Sequence, residues 1–375
     1  VGRDVAIPAG VRRVDASGKW VTPGLVVAIT DLGLIDVGAV DESNDSGAGK
    51  SPFSAALDIS YAINPDAQPI KISRAGGVTR AAVAPLGTDT IFGGQGAVID
   101  LGADPDAVTV PRAFQYVELG ETGADRAGGS RVSTWTELYN ALGEAREIAA
   151  NPNGARRDDV MLGRRDAQAL VPVVTGKQPL YVHVERAADI RMVLKLKQEF
   201  PALRLVIVGA TEGWMVAGDL AKSGVPVLAT PLNDLPASFE QLGATQSNVG
   251  RMKAGGVKVS LGAFFDQPRY APQYAGNLVG LTKVPGASGL TWNQAFAAIS
   301  SGPAEILGMG DRFGSLRPGR AGDVVIWDGD PLEVTSGVVS VYIDGTEQPL
   351  DNHQTRLRDR YNTDNPGTLP RGYDW

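Results

Sequence analysis

The sequence predicts an α/β fold: a TIM-type (β/α)8 barrel with a small β-sandwich appendage formed by both chain ends. Three observations predict it. Between Gln178 and Gly262, four short apolar runs alternate with stretches of helical spacing. Those runs carry few charges, as strands covered on both faces should. Beyond Gly308 the period changes from helical to strand-like, and the flank before Pro23 joins that stretch in the appendage.

The elements follow in order. Leu25–Ile29 reads as a strand after the Pro23-Gly24 turn, and Arg80–Ala84 as another after Gly76-Gly77. Ala97–Leu101 and Ala113–Leu119 are two more, with no helical pattern between them. Residues 120–160 hold a Gly- and Arg-containing loop and a helix near 133–150, read as an insertion over one barrel mouth. Leu180–Val184 is a β-rich run. Residues 186–200 follow with Ile190, Val193, Leu194 and Phe200 near helical spacing. Leu203–Val208 is ended by Gly209, residues 212–223 form a helix stopped by Gly224, and Val225–Ala229 is the next strand. A helix over about 238–254 leads to Val257–Leu261. These runs supply the eight strands of a closed barrel.

After the barrel, Thr291 to Gln294 spells a capping box, Gly302-Pro303 restarts the helix and Gly308 ends it. Asp323–Trp327 and Val338–Ile343 are strands, with a turn at Asp344-Gly345. Residues 1–22 and 309–350 are therefore expected to form the appendage, 23–308 the barrel, and 351–375 a polar surface tail.

Composition narrows the chemistry. Hydrophobic residues at 43% and charged residues at 21% describe a globular chain, not a disordered one. A formal net charge of −7 gives no electrostatic reason to expect nucleic acid. No apolar run approaches the roughly 18 residues of a membrane span. With no cysteine, disulfides, zinc–thiolate sites and cysteine nucleophiles are excluded. The sequence begins at Val1, so it does not bear on a leader peptide. The two histidines, His183 and His353, exclude any mechanism needing three imidazoles from this chain. His353 lies in the polar stretch 351–355, which leaves His183 for site chemistry.

Other motifs carry little. Gly93-Gly94-Gln95-Gly96 lacks the Lys-Ser/Thr of a phosphate loop. No Gly-x-Ser-x-Gly elbow is present. Trp135, Trp214 and Trp292 read as packing residues.

Three segments resemble the amidohydrolase superfamily, in particular its imidazolonepropionase-like and prolidase-like branches. Val14-Asp15-Ala16-Ser17-Gly18-Lys19-Trp20-Val21-Thr22-Pro23-Gly24-Leu25 is similar to the family's Asp-Ala-x-Gly-Lys-x-Val-x-Pro-Gly lead-in to barrel strand 1. Gly314-Ser315-Leu316-Arg317-Pro318-Gly319-Arg320-Ala321-Gly322-Asp323-Val324-Val325-Ile326-Trp327-Asp328-Gly329-Asp330-Pro331-Leu332 is similar to its closing segment. Gly302-Pro303-Ala304-Glu305-Ile306-Leu307-Gly308 is similar to its Asn-Pro-Ala-x-x-Leu-Gly.

The resemblance implies one or two divalent metals, usually zinc, held by His-x-His on strand 1, one His each on strands 5 and 6, and an Asp on strand 8. Here the strand 1 positions align with Ala28 and Thr30. Strand 5 keeps His183, strand 6 ends in Val208-Gly209-Ala210, and strand 8 gives Leu261-Gly262-Ala263-Phe264. One nitrogen ligand cannot hold zinc tightly, so no resident metal is expected. Were the site functional, His183 would be the ligand, and zinc or another divalent ion the cofactor. Asp31, His183, Glu185, Glu212 and Asp266 could make a weak oxygen-rich site. His183 and Glu185, two apart on a strand, share a face. The catalytic candidates are His183, Asp31 and Asp266, with Thr30, Glu185 and Glu212 lining the pocket.

Two functions follow as expectations. One is a non-catalytic homologue that binds a small molecule or supports a catalytic amidohydrolase paralogue or a second copy of itself. The other is an active hydrolase of amide, lactam or peptide-like C–N bonds with a rearranged site. Relatives in this branch often carry secretion signals, which leans the compartment toward periplasmic or secreted.

Overall fold

A computed structural model describes residues 2, 5–154, 158–264 and 267–362. Asp266 and the end of the tail, residues 363–375, lie outside the described residues. Two sheets organise the rest. Strands β1 (Trp20–Pro23), β10 (Val324–Trp327), β11 (Val338–Ile343) and β12 (Thr346–Glu347) form one four-stranded antiparallel sheet from the two chain ends. The appendage is thus a single sheet.

The other sheet is the barrel. Its strands run in chain order: β2 (Leu25–Thr30), β3 (Val78–Val83), β4 (Phe92–Asp100), β5 (Val108–Glu118), β6 (Leu180–Val184), β7 (Leu205–Gly209), β8 (Val227–Ala229) and β9 (Val259–Leu261). A parallel bridge between Ala28 and Gly262 closes it, supported by Ala263 N–H donating to the Ala28 carbonyl at 3.1 Å. All eight strand expectations fall on these elements.

One strand departs from the (β/α)8 pattern. β4 is antiparallel to both β3 and β5. The reason is local: the link from Asp100 to Val108 is far too short for the crossover a parallel pair requires. The Gly93–Gly96 run lies inside β4.

The strand period of two splits the core into layers. Inward-facing Ala28, Ala82, Phe114, Tyr116, Tyr181, Val206, Val208 and Leu228 fill the barrel. Phe114 stacks on Tyr181 with ring centroids 4.2 Å apart. Outward-facing Val27, Ala81, Val117, Val182, Ile207 and Val227 pack beneath the surrounding helices. The helix over 131–150 starts on Ser130, whose side chain accepts the Val132 N–H. The capping box at Thr291 and Gln294 forms as read from sequence. Beyond residue 351 the chain makes a further helix, His353–Tyr361, capped by Asn352 and Thr355, and His353 is exposed on it. Among the described residues no helix is long and apolar enough to cross a membrane.

Candidate functional site

Strand register places the polar cluster at the barrel mouth. β5 and β6 are parallel neighbours in which Tyr116 opposes Tyr181 and Glu118 opposes His183. Tyr116 and Tyr181 point into the barrel, so the next pair up, Glu118 and His183, points into its mouth. Glu118 Oε1 meets His183 Nδ1 there. Two residues on, Glu185 returns to the same face, and its Oε1 lies 3.1 Å from His183 Nε2. Both carboxylates are buried, Glu118 at 7% exposure and Glu185 at 4%. The imidazole is therefore clamped on both nitrogens.

The clamp continues outward. Glu185 Oε2 accepts the Thr211 N–H at 2.7 Å, and Thr211 Oγ1 accepts from Asn233 Nδ2 at 3.2 Å. Asn233 lines a mouth pocket of about 320 Å³ together with Thr230, Ala263, Phe264, Gln267 and Tyr274. A chain of contacts thus joins His183 to the space where a ligand could sit.

The electrostatics follow from that packing. Burial alone would push His183 down, but the Glu118 and Glu185 carboxylates together hold it well above its ordinary value. A carboxylate on each ring nitrogen favours the protonated ring, which offers two N–H donors. Burial pushes Glu185 up, and His183 and Thr211 outweigh it, so its carboxyl sits below the usual range. Burial, then the Glu118 and Glu185 charges, push the Tyr116 phenol well up. Burial also raises Glu240, a carboxyl that accepts the Glu121 N–H at 2.8 Å and an Arg131 N–H at 3.2 Å.

Of the residues read from sequence, the structure brings His183 and Glu185 together. Thr30 is fully buried at the end of β2, and its Oγ1 accepts the Leu32 N–H at 2.8 Å, a local turn bond. Asp31 sits in the same turn, with its carbonyl accepting the Leu34 N–H at 2.9 Å. Glu212 uses both carboxylate oxygens on backbone: Ala187 N–H at 2.9 Å and Gly243 N–H at 2.9 Å. It ties two loops together. Sequence reasoning missed Glu118, although its position was a signal: it is the one charge near the C-terminal end of the run Ala113–Leu119.

The left-handed backbone at the mouth is a further feature. Ile29, Ala210 and Ala263 have φ of 60°, 54° and 60°. Non-glycine residues rarely adopt this region, and such strain clusters at functional sites. The three stand at the ends of β2, β7 and β9.

A model of the amidohydrolase family matches residues 207–347. The crystal structure of an amidohydrolase from Thermotoga maritima MSB8 superimposes with a TM-score of 0.82 at 26% identity, covering 92% of this chain and 91% of that one.

In sequence and in fold the chain is similar to the amidohydrolase superfamily.

Amidohydrolase tasK of Hapsidospora irregularis is 26% identical over 391 residues, which is 91% of this chain and 38% of that protein. The chain therefore spans well under half the length of that curated relative. A prolidase crystallised with N-methylphosphonate-L-proline has the same fold, at 17% identity and a TM-score of 0.52 over 92% of this chain and 90% of that one.

Among the described residues of this mouth, the side chains do not fit the amidohydrolase metal set. Both nitrogens of His183 are engaged by carboxylates, which leaves no lone pair for an ion. Ala28, Gly209, Ala210 and Ala263 have no side-chain donor, and Thr30 Oγ1 serves its own turn. Among the described residues no group of three His, Asp or Glu is arranged to hold a metal ion.

Proposed function

We propose that this chain is a non-catalytic amidohydrolase homologue, whose barrel mouth binds a small molecule in support of a catalytically intact amidohydrolase partner. The observation that carries this reading is the clamp on His183. Amidohydrolase chemistry needs a metal to lower the pKa of a water and polarise the scissile carbonyl. The imidazole left to contribute is instead held on both nitrogens by Glu118 and Glu185.

A second reading has one observation in its favour. A half-buried histidine, its proton affinity raised by two carboxylates and linked through Glu185, Thr211 and Asn233 to a pocket of about 320 Å³, is a proton donor beside a ligand space. It could protonate the leaving nitrogen of a C–N bond.

Metal analysis of the purified chain separates the readings, together with hydrolysis assays on a panel of lactams and dipeptides. The expected result is zinc and manganese far below stoichiometry, no hydrolysis, and the same melting temperature with and without chelator. Stoichiometric metal lost together with hydrolysis in His183→Ala would sink the proposal. Metal-free hydrolysis abolished by His183→Ala would establish the second reading instead.

A further inference from the structure

A second pocket, of about 310 Å³, lies where the barrel meets the appendage sheet. Tyr270 lines both this pocket and the one at the mouth. None of the His183 cluster lines it. Its inner wall is apolar: Trp327, Pro331 and Leu332 are all buried. The Trp327 ring is fixed because its Nε1–H donates to Thr22 Oγ1 at 2.9 Å.

Arg269 also lines this pocket. One guanidinium N–H group meets Gln354 Oε1 and the other donates to the Tyr270 hydroxyl at 3.1 Å. Among the described residues its buried Nε has no hydrogen-bond partner. Among the described residues Arg269 makes no ion pair, whereas Arg80 and Arg131 each meet a buried carboxylate. A buried guanidinium N–H left unpaired is costly unless something supplies an acceptor.

The backbone makes room for this arrangement. A Cβ at Gly76 would lie 2.9 Å from Arg269 Cβ, and one at Gly77 would lie 2.8 Å from the Trp327 ring. Two adjacent glycines thus let the cation and the aromatic wall approach the same space. Glu333, exposed at the rim, is the one carboxylate lining the pocket, and it disfavours multiply charged anions.

We propose that this pocket binds a small planar monocarboxylate, with its carboxylate on Arg269 and its ring against the Trp327 wall. Guanidinium matches a carboxylate through paired N–H···O bonds, and a mostly apolar pocket with one placed charge is the usual form of a small-molecule site. A pocket of this volume holds a single-ring acid. The proposal does not rest on the reading of the mouth.

Benzoate is the probe and benzamide its neutral isostere, tested on the full chain by calorimetry and ligand-observed NMR. Benzoate is expected to bind, and benzamide to bind at least about tenfold more weakly, since a charge-assisted bond is lost. Arg269→Gln should weaken benzoate by about tenfold or more without lowering the melting temperature of the ligand-free protein, and Arg269→Lys should fall between. His183→Ala should leave benzoate affinity unchanged. Equal affinity for benzamide, unaltered affinity in Arg269→Gln, or no benzoate binding at about 10 mM would each overturn the proposal. The benzoate–benzamide comparison uses the unaltered chain, so it decides the matter even if a variant misfolds.

Discussion

Gly209 leaves the space that the Glu185 carboxylate occupies: a Cβ at position 209 would lie 2.6 Å from Glu185 Oε1 and 2.9 Å from His183 Nε2. The end of β7, where relatives often place a metal-binding imidazole, is here stripped to backbone. That lets Glu185 turn back onto the histidine of the neighbouring strand. The bare backbone at position 209 and the clamp on His183 are thus one structural arrangement.

The relationship predicts the effect of Gly209→Ala. The backbone there has φ of 88°, which strains any L side chain, and the added methyl must displace Glu185 or His183. The expected cost is about 2–4 kcal/mol, from strain plus a broken buried network. It would be measured as a lower denaturant midpoint with an unchanged m-value. A variant as stable as the parent would mean that the clamp is not packed as described.

The clamp also sets a pH dependence. His183 is raised in the folded state above its ordinary 6.5. Its contribution to stability is therefore complete below pH 6.5 and is lost as pH rises through the elevated folded value. Glu185 is lowered below its ordinary 4.5, so its contribution is complete above pH 4.5 and is lost as pH falls through the depressed value. Stability measured against pH should carry a shoulder on the alkaline side that disappears in His183→Gln. The check is a series of urea midpoints from acid to alkaline pH for both proteins. An identical alkaline limb in the two would remove His183 from the pH response.

Much of the barrel was legible because its strands are covered on both faces. Continuous apolar runs such as Leu205–Gly209 and Leu180–Val184 stand out for that reason. The reversal of β4 was not read, although its cause was in view: no helical pattern lies between Ala97–Leu101 and Ala113–Leu119. At the site, His183 with Glu185 was legible from local spacing, since two residues on a strand share a face. Glu118 was not, because it stands 65 residues before its partner and only the β5–β6 register brings them opposite. Glu212 shows the converse: a carboxylate beside a strand end in sequence turns its oxygens onto loop backbone.

The closing motif has a physical task that its family resemblance alone did not reveal. Asp323, 2% exposed, accepts from Arg80 on β3 through two parallel bonds, Nε to Oδ2 at 2.7 Å and a terminal nitrogen to Oδ1 at 2.9 Å. Its carbonyl also accepts the Gly24 N–H at 3.0 Å, beside the turn that leads into β2. One residue therefore fastens the appendage to the barrel. Arg80 is 3% exposed, and its remaining carboxylates are the exposed Asp344 at 2.7 Å and Asp100 at 3.7 Å. Asp323→Ala should cost about 3–5 kcal/mol, because it strands a buried guanidinium without its bidentate partner. The double variant Arg80→Met with Asp323→Leu should recover most of that loss, since apolar replacement of a buried ion pair is often neutral or stabilising. Urea midpoints of the three proteins give both numbers. A single variant within about 1 kcal/mol of the parent would contradict the assignment, because that is the range of an exposed pair.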